Sequence, residues 1–348
     1  MDGQAKCFPA SGDYAAFKAQ AAIKSGPQVI GLFEIHRDRV YGRATYQAAI
    51  HCAGLFSAND VVYLVEGHSS KESPPQFKRD FKNKVLGLEN SALYSKTDQM
   101  LAAMTQAITQ ADELTPALRQ QMHAYYSSGI EGRNIEWLAA IKQQVSNGKS
   151  VVFHGGYLHA SCPYAATFVA ELKALGATLS MPRFTWERGD NQLTKADWLE
   201  YEFNLHKATQ RMEEGNFAAA TIYLDRIEAV VPSDTLIFTA RAHMQAKQGD
   251  FESALKTADR GLAFDHSQIA LLEMKGPLLR KLIIGDIQDI RTQDDVVRLN
   301  GRLGALKATF QKLETETGEK YNQQSYFDLN HKATTAIKVF ESRHKKRF

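Results

Sequence analysis

Acidic and histidine side chains recur at the ends of short apolar runs in the first half of this chain of 348 residues. The five candidates, in chain order, are Glu34, His36, Glu66, Glu89 and His159. Carboxylates and imidazoles transfer protons in many enzymes. Because ligands bind beyond the carboxyl ends of strands in an open α/β sheet, we expect these five side chains to form one site.

Two kinds of hydrolytic chemistry fit these residue types. In the first, a glutamate or histidine deprotonates water, and Arg133 or the other histidine stabilises the developing oxyanion. In the second, His36, His159 and Glu66 hold a divalent ion such as Mn, Zn, Co or Fe, and the ion activates the water. The sequence has no H-x-x-x-H or C-x-x-C motif that would decide between them.

Other reactive side chains near these runs admit a structural as well as a functional interpretation. Arg133 is either an anion clamp or a surface ion-pair partner. His68 and His154 are additional ligand candidates or structural histidines. Cys162 follows His159 closely, and we expect it to be a buried or incidental thiol. The alternative is a thiol nucleophile, because a position at the expected start of a helix would lower the pKa of Cys162.

Five short apolar runs predict β-strands. They cover residues 29–35, 61–65, 85–88, the run from Val151 to the paired glycines 155–156, and 177–181. Helical patterns separate them at 43–55, from 96 to about 146, and at 164–175, with interruptions expected at 115–116 and 127–129. This alternation predicts an α/β fold with a mostly parallel sheet and flanking helices.

The second half of the chain contains a repeat. Gly215-Asn216-Phe217 returns later as Gly249-Asp250-Phe251, and the residues that follow match in phase. The interval equals the tetratricopeptide period of about 34 residues, so we expect stacked helix pairs. Flanking helices at 198–213 and 268–282 would complete this array. Such helices either offer a concave face to a protein partner or only support the first domain.

The last part of the chain is also predicted to be helical. Residues 286–348 show apolar spacing typical of helices, with a loop expected at 315–319 and a final amphipathic helix at 327–340. Together these patterns predict three domains: an α/β domain over 1–190, tetratricopeptide-like repeats over 191–285, and C-terminal helices over 286–348.

The order of the motifs resembles a known superfamily. Phe33-Glu34-Ile35-His36, Glu66, Gly87-Leu88-Glu89, Arg133-Asn134 and Gly156-Tyr157-Leu158-His159 are similar in order and rough spacing to the motifs of the erythromycin esterase, ChaN and Tiki/TraB superfamily. The resemblance covers about residues 28–182, and Phe33 departs from it where the family has glycine. It implies ester hydrolysis, metal-dependent proteolysis or haem-iron binding, because these activities differ within the group.

Composition excludes some classes of partner. The net charge of +3 and the charged fraction of 23% give no reason to expect a nucleic-acid partner. No apolar run is long enough to span a bilayer, and no signal peptide is visible at the start. Three cysteines are too few for a disulfide framework but allow a single bridge, so cytoplasmic and secreted locations both stay open.

The function predicted from the sequence is hydrolysis of an ester or peptide bond in a small-molecule or peptide substrate. The alternatives are a protein that binds haem, iron or another ligand without turnover, and a scaffold that recruits a protein through the helical repeats.

Overall fold

The chain divides into two compact units, the first ending at Gln210 and the second beginning at Arg211 within the described residues. The computed structural model describes residues 26–34, 49–54, 56–57, 60–69, 84–180, 193–266, 268–317 and 323–345. The boundary therefore falls inside a helix, and residues 195–210, which the sequence pattern assigns to the repeats, belong to the α/β unit. The predicted boundary at residue 285, between the repeats and the C-terminal helices, stays a prediction.

Five parallel strands form the sheet in the described part of the first unit. They are β1 (Val29–Glu34), β2 (Val61–Ser69), β3 (Lys84–Glu89), β4 (Ser150–Gly156) and β5 (Thr178–Ser180). Their order across the sheet is β3-β2-β4-β1-β5, so β4 lies between the first two strands of the chain. Every pairing is parallel, which confirms the predicted α/β class with a parallel sheet.

Strand β2 is longer than the sequence predicts. The apolar run ends at Val65, but the strand continues to Ser69 and its pairing with β3 shifts register between Val65 and Ser69. Pairing with a neighbouring strand therefore extends β2 beyond the residues whose side chains favour a strand. As a result, Glu66 lies inside the strand and not in the loop that follows it.

The helices of unit 1 flank the sheet. They are α1 (Ser91–Gln110), α2 (Pro116–Tyr126), a π-helix (Ser127–Gly132), α3 (Arg133–Ser146), α4 (Leu158–Ser161), a 3₁₀ turn (Pro163–Ala165), α5 (Ala166–Ala174) and α6 (Lys195–Glu213). Residues 49–54 are also helical. The break expected near Pro116 is present, since Thr115 caps α2 and Pro116 occupies its first turn. At the second expected break, 127–129, the α-helix is interrupted by the π-helix, which leads into α3.

The core of unit 1 lies between one face of the sheet and helices α3 and α5. Trp137 and Ile141 of α3 and Phe168 of α5 are buried against alternate strand residues such as Phe33 and Phe153. This alternation follows from the period of two along each strand, which sends every second side chain to the same face. The packing fixes α3 next to the end of β4, where the candidate site lies.

Unit 2 consists of helices alone in the described residues. They are α7 (Phe217–Val230), α8 (Thr235–Lys247), α9 (Phe251–Phe264), α10 (Ile269–Gln288), α11 (Gln293–Thr317) and α12 (Gln323–Lys345). Residues 315–317, expected in a loop, form the last turn of α11. No helix in the described ranges is long and apolar enough to cross a membrane.

The sequence repeat is present in the helix positions. Helix α9 starts one repeat period after α7, and α10 starts the same interval after α8. The caps repeat as well: Asn216 and Asp250 each accept a backbone hydrogen bond at the start of a helix, and Gly215 and Gly249 have φ of 73° and 83°. Glycine adopts this left-handed conformation without the steric cost that a Cβ brings, so the repeated glycines mark repeated turns.

A glycine inside α9 has no room for a side chain. A Cβ on Gly261 would lie 2.5 Å from Leu271 Cδ1 and 2.7 Å from Phe238 Cβ. We expect Gly261→Ala to lower the free energy of unfolding by about 1–3 kcal/mol through overpacking. The control is Gly301→Ala on exposed α11, where a Cβ would meet nothing within 4 Å and the change should stabilise by about 0.5–1 kcal/mol. Thermal unfolding followed by circular dichroism would check both, and equal effects of the two substitutions would contradict the packing.

Candidate functional site

The carboxyl ends of the parallel strands bring the predicted residues to one edge of the sheet. Glu34 ends β1 opposite Gly156, and Glu89 ends β3 opposite Ser69. Glu66 lies on β2, the strand on the other side of β4 from β1. The side chains of Glu34 and Glu89, and all of His36, lie outside the described part of the chain, so their predicted roles stay predictions.

The Glu66 carboxylate lies at the centre of the described site. Its Oε1 accepts from Arg133 Nη2 at 2.5 Å, and its Oε2 accepts from the backbone N–H of Gly156 at 2.5 Å. The side chains of Glu66 and Arg133 are each only 11% exposed. A buried carboxylate is costly unless it is paired and hydrogen-bonded, and removing one partner of such a pair typically costs about 3–5 kcal/mol. Arg133 is therefore a partner of Glu66 and not a surface ion-pair residue.

His159 is held in one orientation beside Glu66. Asn134 Nδ2 donates a hydrogen bond to the His159 carbonyl oxygen at 3.2 Å. Asn134 Oδ1 therefore faces His159 Nδ1 at 2.6 Å and accepts a hydrogen bond from it. The Trp137 ring stacks on the imidazole with centroids 4.0 Å apart. His159 Nε2 then points to Glu66 Oε1 at 3.4 Å. Because an amide oxygen only accepts hydrogen bonds, the Asn134 contact places a proton on Nδ1.

Two backbone features make this arrangement fit. A Cβ on Gly155 would lie 2.6 Å from the Trp137 ring and 3.1 Å from Glu66 Oε2, so the ring and the carboxylate approach the strand closely only because residue 155 is glycine. The π-helix that ends at Gly132 leads directly into Arg133 and Asn134. π-bulges occur often at functional sites, since they displace side chains relative to a regular helix.

A cavity of about 490 Å³ opens onto this cluster. Its wall includes Glu66, Arg133 and His159, and the remainder is mostly apolar and aromatic. The apolar and aromatic lining residues are Tyr94, Leu101, Met104, Ile108, Met122, Tyr125, Tyr126, Ile130, Tyr157 and Leu158. Ligand pockets of this size that combine apolar walls with a few polar groups are typical binding sites for small molecules.

Two lining residues were not predicted from the sequence. Glu202 and His206 lie on α6 and reach the cavity wall. Burial raises the pKa of Glu202 to about 7, while a hydrogen bond from Tyr126 Oη to Glu202 Oε2 at 3.0 Å acts in the opposite direction. No local motif indicates this role, because only the packing of α6 in unit 1 places Glu202 beside α2.

Cys162 is a buried thiol, as expected from the sequence, and the alternative of an activated nucleophile is wrong. Burial raises the pKa of the Cys162 thiol to about 12, and its Sγ donates to the Leu158 carbonyl oxygen at 3.2 Å. The neighbouring backbone N–H groups do lower the pKa, as expected for a helix start, but desolvation outweighs them. Cys162 is a free, buried thiol, whereas Cys52 is disulfide-bonded.

His154 does not join the described cluster. His154 Nδ1 forms a hydrogen bond of 2.8 Å with Tyr63 Oη, and the two rings are stacked. His154 pairs in register with Val65, one step before Glu66, so strand alternation places His154 on the other face of the sheet. The side chain of His68 lies outside the described residues.

The described residues contain no group of three or more His, Cys, Asp and Glu side chains able to hold a metal ion. Two of the three predicted ligands, His159 and Glu66, are adjacent, and the third, His36, is outside the described ranges. The metal-assisted mechanism therefore still depends on His36.

Comparisons with known proteins give partial structural likeness alone. No family model and no curated protein matches the chain. Similar solved structures include a putative protein binding protein from Bacteroides ovatus, with 14% identity over 63% of this chain and 98% of that chain and a TM-score of 0.31. Others are the TPR2AB domain of yeast Sti1 in its pHSP90 complex, with 10% identity over 85% and 90% and a TM-score of 0.30, and the human IFIT1 dimer with m7Gppp-AAAA, with 14% identity over 67% and 50% and a TM-score of 0.31. Likeness at this level gives no argument about what the chain binds or does.

The raised pKa of Glu202 predicts a dependence of stability on pH. Between the ordinary pKa of 4.5 and about 7, the folded protein binds more protons than the unfolded chain. The free energy of unfolding should therefore fall as pH rises through this window, by up to about 3 kcal/mol. We expect Glu202→Gln to remove this decline.

Chemical denaturation followed by tryptophan fluorescence would test this expectation. All three tryptophans of the sequence lie at or before position 198, so the fluorescence reports on the unit that contains Glu202. The matched control is Glu213→Gln, which removes the same charge from an exposed position on the same helix. An unchanged pH profile in Glu202→Gln would rule out the raised pKa.

Proposed function

We propose that unit 1 is a hydrolase acting on a small molecule that carries an ester or related acyl group. One observation carries this proposal: Asn134 holds the His159 ring with a proton on Nδ1 and with Nε2 beside the Glu66 carboxylate, at the wall of a cavity large enough for such a substrate. A base that is oriented by a second residue and stabilised by a third has the logic of a catalytic triad.

His159 acts as the general base in this proposal. With the Nδ1 proton held by Asn134 Oδ1, Nε2 is the atom that accepts a proton from water. The hydroxide attacks the acyl carbon, and the imidazolium that forms lies 3.4 Å from the Glu66 carboxylate. The same proton then passes from Nε2 to the leaving alcohol, which restores the neutral ring.

Arg133 supplies the positive charge of the site. Its guanidinium is bound by Glu66 and lies over the Tyr94 and Trp137 rings, with 5.2 and 5.6 Å to the ring centroids. Three contacts of this kind fix the group in place before substrate binds. Since it also lines the cavity, it can donate to an oxyanion without reorganisation.

The resemblance of residues 28–182 to the erythromycin esterase, ChaN and Tiki/TraB superfamily supports the same class of reaction. A metal-assisted version of the reaction would use His36 together with His159 and Glu66, and a divalent ion there would supply an activated water. The alternative to a hydrolase is a protein that binds haem or another ligand in the cavity without turnover. In that case His159 transfers no proton.

The first test is hydrolysis of nitrophenyl esters by the purified chain, with and without added Mn, Zn, Co or Fe ions. We expect His159→Gln to lower kcat/KM by about 10²–10⁴-fold, because general-base catalysis contributes this much. The control is His243→Gln, a change at an exposed histidine of α8, which should leave kcat/KM unchanged. No turnover in the native chain under any metal condition, or equal turnover in His159→Gln, would refute the proposal.

A second candidate function follows from the helix pairs of unit 2. Tetratricopeptide-like repeats frequently bind proteins. The observation that favours protein binding here is the presence of two helix pairs offset by one repeat period. Large apolar side chains are exposed on these helices, among them Ile222 and Phe264, which are 54% and 42% exposed.

A photo-crosslinking amino acid at position 222 or 264, introduced into the full chain in its own cells, would test this candidate. A single protein adduct formed at both positions, and absent with the same label at exposed Glu213, is the expected result. Absence of an adduct at both apolar positions would count against a protein partner at this surface.

A further inference from the structure

The cavity wall carries more negative than positive charge. Among the described residues, the carboxylates of Glu66, Asp98 and Glu202 line it, against the guanidinium of Arg133. The guanidinium is bound to Glu66, so this pair is neutral. Asp98 is exposed, whereas Glu202 is partly buried. Glu202 is therefore the group whose charge most needs a partner from a ligand.

Nearby cations are already engaged elsewhere. Arg119 pairs with Glu200, and Lys207 donates to the Thr109 carbonyl oxygen and to Gln210 Oε1. Within the described residues, the contact of Glu202 is the hydrogen bond from Tyr126 Oη, and no Lys or Arg lies within ion-pair distance. In this part of the chain the carboxylate thus faces the cavity with a hydroxyl as its partner and without a counter-ion.

Aromatic rings surround the same part of the wall. Tyr125 and Tyr126 both line the cavity, with their ring centroids 5.0 Å apart. The charge of Arg133 lowers the pKa of Tyr125 and the charge of Glu202 raises it, and all three residues line the cavity. Burial raises the pKa of both phenols, so neither ring carries a charge near neutral pH. Neutral aromatic rings beside a carboxylate are a combination that recognises an alkylammonium group.

We propose that the cavity takes an amphipathic molecule with a protonated amine, whose ammonium group pairs with Glu202 against the rings of Tyr125 and Tyr126. This inference names the substrate class of the proposed hydrolase and rests on that proposal for the reaction. The apolar wall from α1 and α2 receives the body of the molecule, and the acyl group lies within reach of His159. Glu202 is then a substrate-positioning residue that takes no part in bond making.

Matched probes test the proposal without any hydrolysis. The probes are 2-naphthylethylammonium and the neutral 2-naphthylethanol, which share the same apolar body. Binding is measured by ligand-observed NMR titration at about pH 8, where Glu202 is ionised and an alkylamine is still protonated. We expect the native chain to bind the ammonium probe about tenfold or more tightly than the alcohol.

The Glu202→Gln variant should bind both probes about equally, because it keeps the shape of the side chain and loses its charge. Its affinity for the alcohol serves as the check that the cavity is intact. Glu202→Asp should retain part of the preference, and Glu213→Gln, on the exposed part of α6, should retain all of it. Equal affinities in the native chain, a preference that survives Glu202→Gln, or no binding of the ammonium probe would overturn the proposal.

The two proposals fail separately. A preference for ammonium that depends on Glu202, without hydrolysis of any ester, keeps the ligand class and removes the hydrolase. Hydrolysis that depends on His159, without a preference for ammonium, does the reverse.

Discussion

The carboxylate of Glu66 is the interaction on which the first unit depends. It joins three elements that are far apart in the sequence: strand β2, the end of β4 through the Gly156 N–H, and helix α3 through Arg133. A carboxylate removed from water costs several kcal/mol unless these partners are in place. Two local features serve this pairing. Helix α3 starts at Arg133, and β4 has a glycine at position 155, where a Cβ would clash with the Trp137 ring. Asn134 and Trp137 of the same helix orient His159, so the packing of α3 against the sheet also positions the site.

Two carboxylates of the same cavity experience different surroundings. Glu66 has a guanidinium and a backbone donor, whereas Glu202 has a tyrosine hydroxyl. Differences of this kind separate the protonation behaviour of acids in one site and so divide their roles. In our proposals the Glu66 carboxylate, paired with Arg133, stabilises the imidazolium of His159. A bound cationic ligand favours the ionised form of Glu202. The reaction and the recognition of the substrate therefore depend on residues of separate elements.

The sequence predicts the sheet, the repeat and much of the site for clear physical reasons. Short apolar runs mark β1 and β4, and the glycines at 215 and 249 mark turns that need a positive φ. Placing Glu66 and His159 together required only the rule that parallel strands end at one edge. The rest depends on tertiary packing. The extension of β2 comes from pairing with β3, the thiol of Cys162 is governed by burial and not by its helix position, and Glu202 reaches the cavity from a helix that local pattern assigns to another domain.

Helix starts that recur at a constant interval allow the second half of the chain to change length by whole repeats. A duplication of residues 217–250 would add a helix pair that already has its own cap, its own turn and a neighbour of matching shape. Stability in such arrays is close to a sum of repeat and nearest-neighbour terms, so an added copy is not penalised by distant contacts. Gene duplication can thus enlarge this half of the chain by whole repeats.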